Sequence, residues 1–265
     1  MKSLNIMMAC FMVASLTACG GGGGGGKSSG SSQNNTLVIT AENATEVAHL
    51  VTASDIATEG SRTTASDDTS DSQIRSLPSS NQIRNSLETL TGSDTSDCHF
   101  GGSSTYTYRA TSNSGSSGSL TGQIKLNNCN DDGDYSLNGN LALAGQFSDS
   151  GDTGNIDITG SMTLTELTTS KSLTMSGMLI ELFYTGDLTE YSESYYASGA
   201  LIGGSYTVKT TEVIRVYDYN NPTSGTVVVS GADGTSLVIE FDSSGFGVYL
   251  TINGGDSEFY AYDEL

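Results

Sequence analysis

Few residues in this 265-residue chain have the chemistry of catalysis, and their spacing narrows the choice further. Its two histidines are His49 and His99, and His99 abuts Cys98. A general base needs a nucleophile or substrate proton within reach, whereas a polar residue beside a cystine is commonplace. Glu190 and Glu193 have the residue types of a glycosidase acid and base. Thirty Asp and Glu residues generate such pairs freely, so the spacing alone is weak. A calcium loop is the stronger chemical candidate. Asn128-Cys129-Asn130-Asp131-Asp132-Gly133-Asp134 offers oxygen ligands at alternate places and a Gly at the sixth. The twelfth place, where a helix-flanked calcium loop needs a bidentate Glu, is Gly139. That leaves a looser hairpin site for calcium at Asp131, Asp132 and Asp134, against the ordinary reading of an acidic turn.

The start of the chain is an address. Lys2 supplies a positive region, Ile6 to Ala14 an apolar one, and small residues lead to Cys19. The apolar run is too short for a bilayer span, which needs roughly 20 residues. Leu16-Thr17-Ala18-Cys19 resembles the bacterial lipobox. The resemblance implies cleavage before Cys19 and lipid on its thiol and new amino terminus. With Gly at position 20 it further implies delivery to the outer membrane. Several acyl chains anchor a protein stably where one is marginal. Gly20 to Asn35 is almost wholly Gly, Ser and Asn, the composition of a flexible tether. Within it, Gly21 to Ser28 fits a phosphate-loop pattern and Gly26 to Gly30 a nucleophile-elbow pattern. Both need a strand before and a helix after, and a glycine run supplies neither.

Of the four cysteines, Cys10 leaves with the signal and Cys19 takes the lipid that the lipobox implies. Cys98 and Cys129 remain, and a lone pair in an oxidising compartment predicts a disulfide. Two histidines and no C-x-x-C spacing leave no ordinary zinc set. The formal charge of −20 repels nucleic acid and favours divalent cations or basic proteins. Such charge also serves solubility. No cofactor is expected apart from that calcium.

The apolar pattern gives the organisation. Residues 1–18 are the signal, 19–36 the tether, 37–92 a helical segment with a polar linker, and 93–265 an antiparallel β-domain. Asn43-Ala44-Thr45-Glu46 reads as a capping box before Val47, Leu50, Val51 and Ser54, predicting a helix over residues 43 to about 57. Glu59 to Ser76 is the polar linker, and Asn81 to Leu90 has the spacing of a second helix. After Gly92 the period is two. Leu120-x-Gly122-x-Ile124-x-Leu126 is echoed around Gly139, Gly160 and Gly177. This predicts about nine or ten strands with one buried face, each echo carrying a Gly mid-strand on that face. A row of such glycines makes a trough for the first helix, or else a place where the sheet coils. The expected fold is mainly β: a large antiparallel meander, open or barrel-like, with one or two short N-terminal helices packed on it.

The Cys-poly-Gly start, Cys98 to Ser103 with its Gly-Gly-Ser, Asn127-Asn128-Cys129, the glycine-centred strands and the Glu264-Leu265 ending resemble uncharacterised glycine-tethered envelope lipoproteins. The resemblance implies location and architecture and brings no activity. Seven tyrosines between Tyr184 and Tyr219 suit strand interiors or a contact surface. The expectation is a non-enzymatic binding or structural domain, anchored to the membrane through lipid, with a protein or small-ligand partner. A barrel-like carrier of a small or lipidic ligand is the alternative, and a tethered hydrolase a distant third.

Overall fold

The computed structural model describes residues 36–53, 90–113, 117–130, 133–148, 153–217 and 221–265. The signal, the tether, the polar linker, Asp131 and Asp132 lie outside them, as does the second expected helix except Leu90. The described residues all belong to one compact unit.

Among the described residues one α-helix, α1 (Ala44–Ala53), precedes twelve strands. They are β1 (Leu90–Asp97), β2 (Gly101–Asn113), β3 (Ser117–Asn130), β4 (Tyr135–Ser148), β5 (Thr153–Glu166) and β6 (Ser172–Thr185). Then come β7 (Leu188–Gly199), β8 (Gly204–Tyr217), β9 (Ser224–Ser230), β10 (Ser236–Phe241), β11 (Gly247–Ile252) and β12 (Ser257–Ala261). All join one antiparallel sheet in chain order, and the sheet is not closed. Its free edges carry acid: Asp94 and Asp97 on β1, Glu258 on β12. Charge at an edge discourages pairing with another chain.

The strands read from glycine-centred alternation are present. β1 and β7 were not anticipated. β1 is wholly polar after Leu90, and β7 breaks the apolar rhythm by placing Glu193 between Tyr191 and Tyr195. The first helix spans ten residues, and Ala44, Val47, Ala48, Leu50 and Val51 are buried. Asn43 precedes it, with its side chain turned back to accept the Thr40 N–H and donate to the Val38 carbonyl. The segment before it is laced across one end of the sheet. Leu37 N–H donates to the Ser205 carbonyl, and its own carbonyl accepts from Ala232. Ile39 N–H donates to Thr235 Oγ1, and the Asn253 amide donates to the Ile39 carbonyl.

The glycine row does not form a bed for α1, which lies against β10 and β11. A methyl added at Gly122 would sit 2.5 Å from the Thr107 carbonyl oxygen. At Gly139 it would meet Ser161 O at 2.9 Å, and at Gly160 Asn140 O at 2.3 Å. The crowding comes from neighbouring strands. Opposite these glycines stand large residues: Leu143 faces Gly122, Leu126 and Met162 face Gly139, and Leu141 faces Gly160. Small against large lets the concave face curl without overfilling. Register shifts between β2 and β9 add bends, since each extra residue increases local twist. Gly177 is different: it occupies one such shift at φ +60, with open space where a side chain would be.

Elsewhere, glycines sit under aromatic rings. Gly92 pairs with Tyr108, Gly118 with Phe147 and Gly154 with Tyr184, and each ring occupies the glycine's missing side-chain volume. Such rings restore packing to a bare strand position.

These two roles predict opposite tolerances. Gly122→Ala should cost about 2 kcal/mol or more, since backbone must shift to admit the methyl. Gly177→Asn should cost less than about 1 kcal/mol, because Asn accepts the left-handed conformation. Urea unfolding followed by far-UV circular dichroism measures both, and equal losses would contradict the assignment.

Candidate functional site

Three places gather polar groups, and they differ in what they can do. The first is the turn end bearing the cystine. Cys98 and Cys129 form a disulfide with Cα atoms 5.3 Å apart, joining the β1–β2 turn to the end of β3. Both are buried, while His99 is exposed and meets Phe100 edge-on at 4.5 Å. The strand end is fixed further by an amide pair. Asn128 N–H donates to Asn138 Oδ1, and Asn138 Nδ2 donates to Asn128 Oδ1. In the calcium-like run, Asn130 Oδ1 accepts the Gly133 N–H, and the Asp134 carbonyl accepts from Leu167. Among the described residues no three His, Cys, Asp or Glu side chains converge as a metal set.

The second place is inside the curl. Glu193 is buried on the concave face, and its N–H donates to Thr210 Oγ1 where β8 bulges. Tyr206 is buried too, and its hydroxyl has no hydrogen-bond partner among the described residues. Burial pushes that phenol above its ordinary range, and the negative charges of Glu193 and Glu46 push it the same way. Glu190 does not join Glu193. Strand residues three apart face opposite sides, and Glu190 lies on the convex face, where its Oε1 accepts from Arg215 Nε at 2.7 Å. The two carboxylates therefore flank no common space, and the acid–base pairing has no geometry to work with.

The third place is the convex face. Of the clustered tyrosines, Tyr191, Tyr195 and Tyr206 are core residues, Tyr184 and Tyr196 are half-buried, and Tyr217 is exposed. Tyr219 lies outside the described residues. Phe183 and Tyr217 stand out on the convex face of β6 and β8 at 45% and 48% exposure. Sequence reasoning passed over Phe183 because it falls one place out of the Leu182–Tyr184 rhythm. That offset was the available signal: an apolar residue in the solvent phase. His49 points to solvent on α1.

Comparison with protein-family models, curated proteins and solved structures found no match. The chemistry of this chain is therefore argued from its own residues. The cystine ties the β1–β2 turn to β3, the Tyr106 and Tyr206 hydroxyls are buried without a hydrogen-bond partner among the described residues, and the convex face carries exposed Phe183 and Tyr217.

Two outcomes follow. Replacing Cys98 and Cys129 by Ala should lower stability by about 3–4 kcal/mol, the loop-entropy estimate for a 31-residue separation. Tyr206→Phe removes a buried hydroxyl that lacks a partner, so at pH 7 it should be neutral or gain about 0.5–1 kcal/mol. A phenol raised on folding contributes stability below its unfolded value of 10.0 that is lost as pH rises beyond it. The wild type should therefore weaken above pH 10 more steeply than Tyr206→Phe in denaturant titrations. A variant more than about 1 kcal/mol weaker at pH 7 would mean the hydroxyl is bonded after all.

Proposed function

We propose that this chain is a lipid-anchored protein of the bacterial outer membrane whose β-domain is a non-enzymatic binding or structural module. The observation that carries the reading is the way the chain joins the domain. Residues Leu37 to Ile39 are pinned by four hydrogen bonds across the ends of β8, β10 and β11. Whatever precedes them thus attaches to one fixed end of a rigid sheet. A lipid on Cys19 and a glycine-rich tether would hang the domain from that end. The separation of Glu190 from Glu193 onto opposite faces supports the non-enzymatic part.

A small-ligand carrier requires room inside the curl. The side chains of Val47, Ala48 and Val51 from α1 belong to the same buried cluster as the concave residues of β4 to β11. This filling favours contact through the outer surface over carriage within.

The test is metabolic labelling with an alkyne analogue of palmitate in a host that processes lipoproteins, followed by membrane fractionation. The wild-type chain should take up label and sediment with outer membranes. Cys19→Ala should lose the label and keep its unprocessed mass. Label that persists in Cys19→Ala, or a wild-type chain released as unlabelled soluble protein, would overturn the anchor. Protease shaving of intact cells then reports whether the domain faces outward or the periplasm.

A further inference from the structure

We propose that the convex face of β6, β7 and β8 is a docking surface for a basic protein face, one presenting Lys or Arg side chains among apolar ones. This deepens the binding-module reading and rests on it.

The first observation is where exposed apolar groups fall. On β2 to β5 the convex positions are polar, charged or small, among them Thr107, Arg109, Gln123, Lys125, Ala142 and Asp157. Neither fold nor stability asks the next strands to differ. Yet Leu179 and Phe183 on β6, and Val213 and Tyr217 on β8, stand 37%, 45%, 43% and 48% exposed. The pairing places them together. Leu188 lies opposite Tyr217, and Phe183 lies opposite Glu190, which lies opposite Arg215. Strands about 4.8 Å apart make this a patch about 10 Å wide, and the four-residue spacing of Leu179 from Phe183 extends it about 13 Å or more along the strands. Clustered apolar groups on a convex sheet face, rather than scattered single ones, mark contact sites.

The second observation is the charge around them. Asp157, Glu181, Asp187, Glu190 and Glu212 stand on or beside this face, against Lys209 and Arg215. Arg215 is already paired with Glu190. Glu181 accepts from Ser192 Oγ and Glu212 from Thr226 Oγ1, which hold both carboxylates in place. The face therefore interleaves exposed apolar side chains with carboxylates, Glu181 lying between Leu179 and Phe183 and Glu190 beside Phe183, on a chain of formal charge −20. A second copy would bring like charge to like. A basic surface would be steered in by the field and could stack cations on Phe183 and Tyr217.

The third observation is position. Tyr217 and Thr185 end their strands, and Leu188 begins its own, at the end of the sheet opposite Ser205, Ala232 and Asn253, where the N-terminal segment is pinned. The patch is thus carried at the far end from the attachment.

The experiment uses the full chain with a fluorescein-labelled Lys/Leu-rich peptide, and a Glu/Leu-rich peptide for comparison, read by fluorescence anisotropy. The Lys/Leu peptide should bind, and the Glu/Leu peptide should not. Phe183→Ser with Tyr217→Ser should weaken binding about tenfold or more. Glu181→Gln with Glu190→Gln should weaken it and flatten its salt dependence. Leu167→Ser, at a residue 45% exposed in the turn between β5 and β6 at the opposite end of the sheet, should leave it unchanged. Leu179→Thr repeats the test at a position where Thr suits a strand, should the double variant fold poorly. Equal binding by wild type and patch variants would overturn the proposal, leaving only diffuse charge attraction. So would binding to glycans instead, or a dimer that the same substitutions abolish. The peptide readout does not depend on Cys19, so loss of lipid labelling and loss of this surface are separate results.

Discussion

The rest of the structure depends on one packing constraint: among the described residues, a broad sheet with a single apolar face has only ten residues of α-helix to cover it. A flat sheet would leave most of that face in water, at about 25 cal/mol for each Å² exposed. The sheet must therefore cover itself. It does so by curling until Tyr106 on β2, Ile180 on β6 and Leu250 on β11 belong to one cluster, with α1 set into the remaining space. Curling shortens the inside of every strand pair. Glycine on one strand facing Leu or Met on the next is how the inside stays filled but not overfilled.

Curvature of this kind normally proceeds to a closed barrel, which removes both edges. Here the ladder stops at β1 and β12. Both edges are acidic, so joining them would set Asp94 and Asp97 near Glu258 and its neighbours Asp256, Asp263 and Glu264. Like charges across a strand pair are destabilising. The openness and the charge are thus one property. The same surplus of carboxylates that keeps the edges apart also stands among the exposed apolar groups on the convex face of β6 to β8.

Much of this architecture was legible in the residues because period-two alternation survives wherever one face is buried. β3 to β6 announce themselves through Leu120 to Leu126 and its echoes. β7 did not, because its inward positions are Tyr191, Glu193, Tyr195 and Ala197, and a carboxylate in the apolar phase looks like a break. β1 carries almost no apolar residue and is defined by its partner β2. The glycines were legible as a row, with a trough for α1 or a coiling sheet as its two readings, and the close strand approaches decide for the second. Which backbone approaches a glycine is a three-dimensional fact that one strand's sequence does not hold. Cys98 and Cys129 were readable by elimination, whereas the convex patch was not. Phe183 and Tyr217 look the same on paper as the core tyrosines between them, and only the register separates the two sides.

The order of strands has a further consequence, for how such a chain can assemble. Each strand pairs only with the one before and the one after, so the ladder can grow as the chain is delivered, with little long-range searching. The cystine spans neighbours too. The exception is at the beginning: Ile39 bonds to Thr235, 196 residues later, and α1 rests on β10 and β11. The first described residues to arrive must wait for nearly the last before they have anywhere to go. Completion is thus signalled at the N-terminal end, where Leu37 to Ile39 are locked down only once β8 to β11 exist.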